Sequence, residues 1–193
     1  MKSNLKTSAK TNNAVTSTAA LVTQVSRVNF FFIALYATSI IIFDSGNLIA
    51  REAVYQRWTL AVVLLIVNTF VWYITRHING AFLQKLMVWV LVVTELIFAG
   101  YMIYWERGMA SMSTLLFALP IVTAGMLLSR TATLATSTLA IATYSFAAMK
   151  YFYDYFNEGY RLQLYGQMVF FGGVFLTIAW IVNILARVNK NPN

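Results

Sequence analysis

LMVWVLVVTELIFAGYMIYW, residues 86–105, is twenty residues of nearly unbroken hydrocarbon with one ionisable side chain, Glu95, at its middle. An α-helix needs about 20 apolar residues to cross a hydrocarbon core about 30 Å thick. If the stretch is such a crossing, Glu95 lies near the midplane of a bilayer, and the rest of the chain must be organised around membrane spans.

The composition agrees. Of 193 residues, 60% are hydrophobic, 16% aromatic and only 10% charged, whereas a soluble domain carries about a quarter charged residues. The chain has no cysteine, which excludes disulfides and thiolate metal sites, and its single histidine excludes bis-histidine haem ligation and most zinc sites. A net charge of +8 could suit nucleic acid, but none of the motifs of nucleic-acid-binding proteins is present. Basic residues flanking apolar runs are explained by membrane topology instead, so no nucleic-acid partner is expected.

Working outward from residues 86–105, five further apolar runs emerge, near 28–43, 58–74, 110–128, 131–149 and 162–186. The first is 16 residues, about 24 Å as a helix, so it is expected to borrow a turn upstream with Arg27 snorkelling to the interface. Lys2, Lys6 and Lys10 resemble the basic region of a cleaved signal peptide, but no small-x-small site precedes the polar break at Asp44. The chain therefore divides into a polar, mobile cytoplasmic N-terminus (1–24), a membrane domain (25–188) and a short tail (189–193).

The polar breaks set the orientation. Lys2, Lys6, Lys10, Arg27, Arg76, Lys85, Arg130, Arg187 and Lys190, nine basic residues with no acidic one among them, fall at the N-terminus, the second and fourth breaks and the C-terminus. The other three breaks are charge-neutral, with Arg51, Arg57, Arg107, Lys150 and Arg161 against Asp44, Glu52, Glu106, Asp154 and Glu158. Lys and Arg accumulate on cytoplasmic faces, so both termini are expected inside. Aromatic residues mark the two interfaces, with Tyr101, Tyr104 and Trp105 outside and Trp72, Tyr73 and Trp89 inside. KYFYDYFNEGYRLQLY, residues 150–165, packs seven aromatics into one outer turn. Tyr151, Tyr153, Tyr155, Tyr160 and Tyr165 there form either an aromatic belt or an exterior ligand surface.

Counting inward from the outer ends, Asn68, Glu95 and Pro120 all come to lie about 15 Å deep. A mid-helix proline deletes one hydrogen bond and leaves the Leu116 carbonyl seeking another donor. A carboxyl group in hydrocarbon has its ionised form disfavoured, so a neutral Glu95 could donate to Asn68 or to Leu116. Two readings follow. Glu95 is an interhelical pin worth about 0.5–2 kcal/mol, or it lines a polar cavity for a proton or a cationic or hydrogen-bonding ligand. Helix packing is expected at the small residues Ala132, Thr136 and Ala140 of TATLATSTLAIATYS, and at Gly172 and Gly173.

Much chemistry is excluded. No HExxH motif, Walker sequence or glycine-rich phosphate loop occurs. His77 falls on the inner side while Ser111 and Ser113 fall outside, a membrane thickness apart. Lys150 is at a helix end, so no mid-helix lysine is available for a retinal Schiff base. Neither enzymatic activity nor a cofactor is expected.

ERGMASMSTLLFALPIVTAGMLLSRTATLATSTLAIATYS, residues 106–145, resembles part of the six-helix membrane region at the N-terminus of many bacterial sensor histidine kinases. The shared features are an outer turn with Gly108 and Ser111, a central Leu119-Pro120, an inner turn at Ser129-Arg130 and an Ala- and Leu-rich helix from Thr131. The resemblance covers about forty of the 193 residues. It implies a bacterial cytoplasmic (inner) membrane and helices that pass a stimulus through the last span. The chain departs from that family because only residues 187–193 follow the last span, and His77 precedes the third helix and cannot be the phosphoacceptor. It is then either a sensor fragment or a stand-alone relative acting through partners, a second copy as a homodimer or another membrane or cytoplasmic protein. The rival classes are a substrate-binding subunit of a vitamin importer and an accessory subunit of a larger membrane complex. Against the importer, FFFIALYATSII has Ala34 and Ala37 three apart, not the Ala-x-x-x-Ala of a coupling surface. The reading reached is an all-α polytopic membrane protein, a six-transmembrane-helix bundle with both termini cytoplasmic, working as a sensing or signal-relay module.

Overall fold

The computed structural model describes residues 2–46, 49–77, 80–106, 112–156 and 162–188. Among them there is no strand. The helices are α1 (Lys2–Ser45), α2 (Arg51–His77), α3 (Ala81–Trp105), a 3-10 segment (Met112–Phe117) running into α4 (Ala118–Leu127), α5 (Arg130–Phe156) and α6 (Leu162–Val188). Five stretches, Ala20–Ser45, Arg51–His77, Phe82–Trp105, Arg130–Phe156 and Gln163–Ala186, are long and apolar enough to cross a membrane. The first begins upstream of the expected 28–43 because Leu21, Val22 and Val25 extend its apolar face, and Arg27 stays exposed as snorkelling requires. The polar residues expected to form a separate N-terminal segment are continuous with α1.

The chain forms two compact units, Met1–Leu91 and Val92–Asn193, with the boundary inside α3. In the first unit α2 buries Ala61, Leu64, Asn68, Val71 and Thr75, alternating steps of three and four that define a heptad seam. Val22, Ser26, Asn29, Ile33, Tyr36 and Ile40 are the buried line of α1. The two helices run antiparallel, since Asn68 reaches Ser26 while the Arg57 guanidinium lies 5.9 Å from the centroid of the Phe43 ring.

The second unit comprises the C-terminal half of α3 together with α4, α5 and α6. Its core centres on Tyr144, fully buried, whose ring meets Phe117 at 6.1 Å, Phe171 at 5.4 Å and Phe175 at 6.0 Å, all steeply inclined. Such edge-to-face pairs contribute about 0.5–1.5 kcal/mol each beyond area burial. α5 buries Thr133, Thr136, Ser137, Ala140, Tyr144, Ala147, Ala148 and Phe152, so Thr136 and Ala140 belong to the packing face and Ala132 sits at its margin. Gly172 packs against Ile141, whereas Gly173 is exposed with nothing within 4 Å of the place its Cβ would take. The tightest helix contacts occur elsewhere. A Cβ on Gly125 would overlap Val182 of α6, and one on Gly100 would lie 2.8 Å from Thr143 Cγ2.

The fourth apolar run is not the single helix expected over 110–128. Its 3-10 segment becomes α-helix at Ala118, and Phe117 at φ −66° and ψ −16° keeps the right-handed sense across the change. Pro120 therefore sits in the first turn of α4 rather than in mid-helix. That is where a missing N–H is tolerated, because the first turn has donors without α-helical partners anyway. α4 ends with the Leu128 N–H on the Ala124 carbonyl at 2.9 Å, and Ser129 then caps α5, its Oγ accepting from the Ala132 N–H at 3.2 Å.

Replacing Gly125 with Ala is expected to destabilise the protein by about 1–3 kcal/mol, because Val182 is β-branched and cannot swing aside. Gly173→Ala should be neutral or stabilising by up to about 1 kcal/mol. Unfolding in mixed detergent–SDS micelles measures both.

Candidate functional site

Glu95 lies on the most enclosed of the long helices. Of the apolar stretch of α3, 61% is buried, against 17% to 39% in the other four. Leu91, Val92, Leu96, Phe98, Ala99 and Met102 form the buried face around Glu95, which is itself 3% exposed, while Val93, Ile97 and Tyr101 leave the opposite face open. Its surroundings are therefore protein, not lipid.

One partner of Glu95 comes from α4. Thr123 Oγ1, also buried, donates to Glu95 Oε1 at 3.5 Å, the long end of the range for a hydrogen bond. Pro120 contributes indirectly. It marks the start of α4 and stands one turn before Thr123 on the same helix face, so the 3-10 to α transition sets which residue faces α3. Two residues beyond Thr123, Gly125 meets Val182 of α6. Ser113 donates to Glu106 at 2.5 Å and ties the 3-10 segment back to the C-terminal end of α3.

Asn68 belongs to the first unit and has its own partner. Its Nδ2 donates to the Ser26 carbonyl at 3.0 Å, so the amide expected to serve Glu95 is engaged by the backbone of α1. The buried Asn68 Oδ1 and Ser26 Oγ lack a protein partner. Sequence reading missed the buried polar groups Ser26, Asn29 and Gln84, all of which lie just outside the apolar runs at 28–43 and 86–105 or at the edge of one. The signal was periodicity: Ser26 and Asn29 fall on the line of Val22, Ile33 and Ile40.

Hydroxyl groups divide by location. The exposed Thr38, Thr59, Thr69, Thr138 and Thr177 each donate to the carbonyl four residues back, at 2.7 to 3.1 Å, which satisfies each hydroxyl within its own helix. On the buried face of α5, Thr136 Oγ1, Ser137 Oγ and Tyr144 OH have no protein partner. Buried polar groups left so are where water or a ligand is accommodated.

The aromatic turn resolves into a closed cluster. Tyr104, Tyr151 and Tyr155 lie 4.9 to 6.4 Å apart by ring centroids. Asp154 accepts from Tyr104 OH at 2.9 Å and from Lys150 Nζ at 2.8 Å. The carboxylate already holds an internal cation. Tyr153 and Tyr165 are exposed, and Tyr160 lies outside the described residues. Among the described residues no three His, Asp or Glu side chains gather as a metal would need.

Thr123→Val, which removes the hydroxyl and keeps the volume, is expected to cost about 0.5–1.5 kcal/mol. The cost should vanish in a Glu95→Leu background, as a double-mutant cycle of unfolding free energies would show. No family model, curated protein or solved structure matches the chain.

Proposed function

We propose that the chain is a six-span sensing or signal-relay module of a bacterial inner membrane, with both ends on the cytoplasmic side and no catalytic output of its own. The observation that carries this reading is the burial of Glu95 inside the most enclosed helix, with the Thr123 hydroxyl of α4 at the long end of hydrogen-bonding distance. A titratable group within a membrane domain is a functional candidate by default, and a weak bond is readily exchanged. When a proton or a hydrogen-bonding ligand alters Glu95, the Thr123 contact changes. α4 carries that change to α6 through the close approach at Gly125, where packed surfaces cannot slide without displacing Val182. α6 leads it to the cytoplasmic end.

The sixth crossing is supplied by the 3-10 segment with α4. Six residues at about 2.0 Å and ten at about 1.5 Å rise give about 27 Å, close to the core thickness. Both helix types keep their backbone bonds internal, as lipid demands. Nine basic residues without an acidic one at the two termini and the second and fourth breaks support the orientation.

Because the chain has no cysteine, single reporters are clean. Ser8→Cys and Asn193→Cys should react with a membrane-impermeant maleimide only after lysis, and Asn157→Cys in intact cells. Termini on opposite sides would refute the six-span arrangement. A nitroxide at Leu185→Cys, near the end of α6, should change its mobility between pH 8 and pH 5 in lipid discs and lose that change with Glu95→Gln. An identical change in the Gln variant would remove Glu95 from the relay.

A further inference from the structure

Between α5 and α6 the second unit leaves an open groove of about 760 Å³. Its walls are apolar, with Leu134, Leu176, Trp180 and Ile184 among them, and its polar groups include Arg130 and Asn183. Trp180 presents 71% of its surface, a flat face on which a chain can lie.

Arg130 is the first residue of α5 and is exposed. It is not needed to cap the helix, since Ser129 already accepts the Ala132 N–H. Its counter-ion is not supplied by sequence on its own side, where the termini and the second and fourth breaks hold nine basic residues and no acidic one. A guanidinium at the end of an apolar groove therefore calls for an anion with a hydrocarbon tail. The groove also has the right reach. Residues 176 to 184 of α6 rise about 12 Å, close to half of a core about 30 Å thick, so it accommodates a chain from one leaflet.

We propose that this groove seats an anionic phospholipid, its phosphate paired with Arg130 and one acyl chain lying against Leu134, Leu176 and Trp180. The inference rests on the membrane-spanning reading given above. Arg matches phosphate with two parallel N–H donors, and Asn183 offers a further amide donor.

The test is native mass spectrometry of the full chain from discs of mixed phosphatidylglycerol and phosphatidylcholine, counting retained lipid. The wild type should retain phosphatidylglycerol in preference. Arg130→Gln should lower that retention about fivefold, the loss of one juxtamembrane charge contact. Arg76→Gln should leave it unchanged, because Arg76 stacks 4.9 Å over Trp72 of its own helix and is not among the residues that line the groove. Equal loss in both variants in a protein that resists carbonate extraction overturns the lipid site alone, as does a protein dimer that displaces lipid and is abolished by Trp180→Ala. Release from membranes by carbonate without detergent overturns the membrane reading and the site together.

Discussion

A polar group in hydrocarbon can bond only to the protein that carries it, and this constraint governs nearly every local choice in the chain. Threonine hydroxyls on exposed helix faces fold back onto their own backbone. Pro120 stands where a helix begins, so its missing donor breaks no established ladder. Asn68 spends its amide on the α1 backbone. Glu95, the one acidic group amid these apolar runs, is held on the helix most thoroughly surrounded by protein.

The apolar runs were legible because hydrophobicity over twenty residues is a strong, local signal, and all six locations carry a helix. Their ends were less legible. The run at 28–43 was cut short because Ser26 and Arg27 look like a polar boundary, although Ser26 belongs to the buried seam with Asn68. The fourth run hides a change of helix type that apolar content cannot show: Pro120 signals a disturbance, but whether it falls within a helix or opens one depends on the turn before it.

Packing contacts were read less well than spans. Small residues advertise close approach only statistically. Gly172 faces Ile141 and Gly173, its neighbour, does not, because adjacent residues on a helix point about 100° apart. Gly125 and Gly100 make closer approaches than either glycine chosen from the small-residue pattern. At the site, depth counting picked Glu95 and put Pro120 near its partner's helix. It could not choose Thr123 over Asn68, because lateral neighbours depend on rotation about each helix axis and not on depth.

The seam joining α1 and α2 has a consequence for how the molecule comes into being. An amide set among aliphatic neighbours at one heptad position penalises every sliding of one helix along the other, since any shift by a turn strands it in hydrocarbon. The first hairpin thus carries its own alignment mark, contained within residues that leave the ribosome before α3 to α6. It has what it needs to find its pairing while the later helices are still being synthesised.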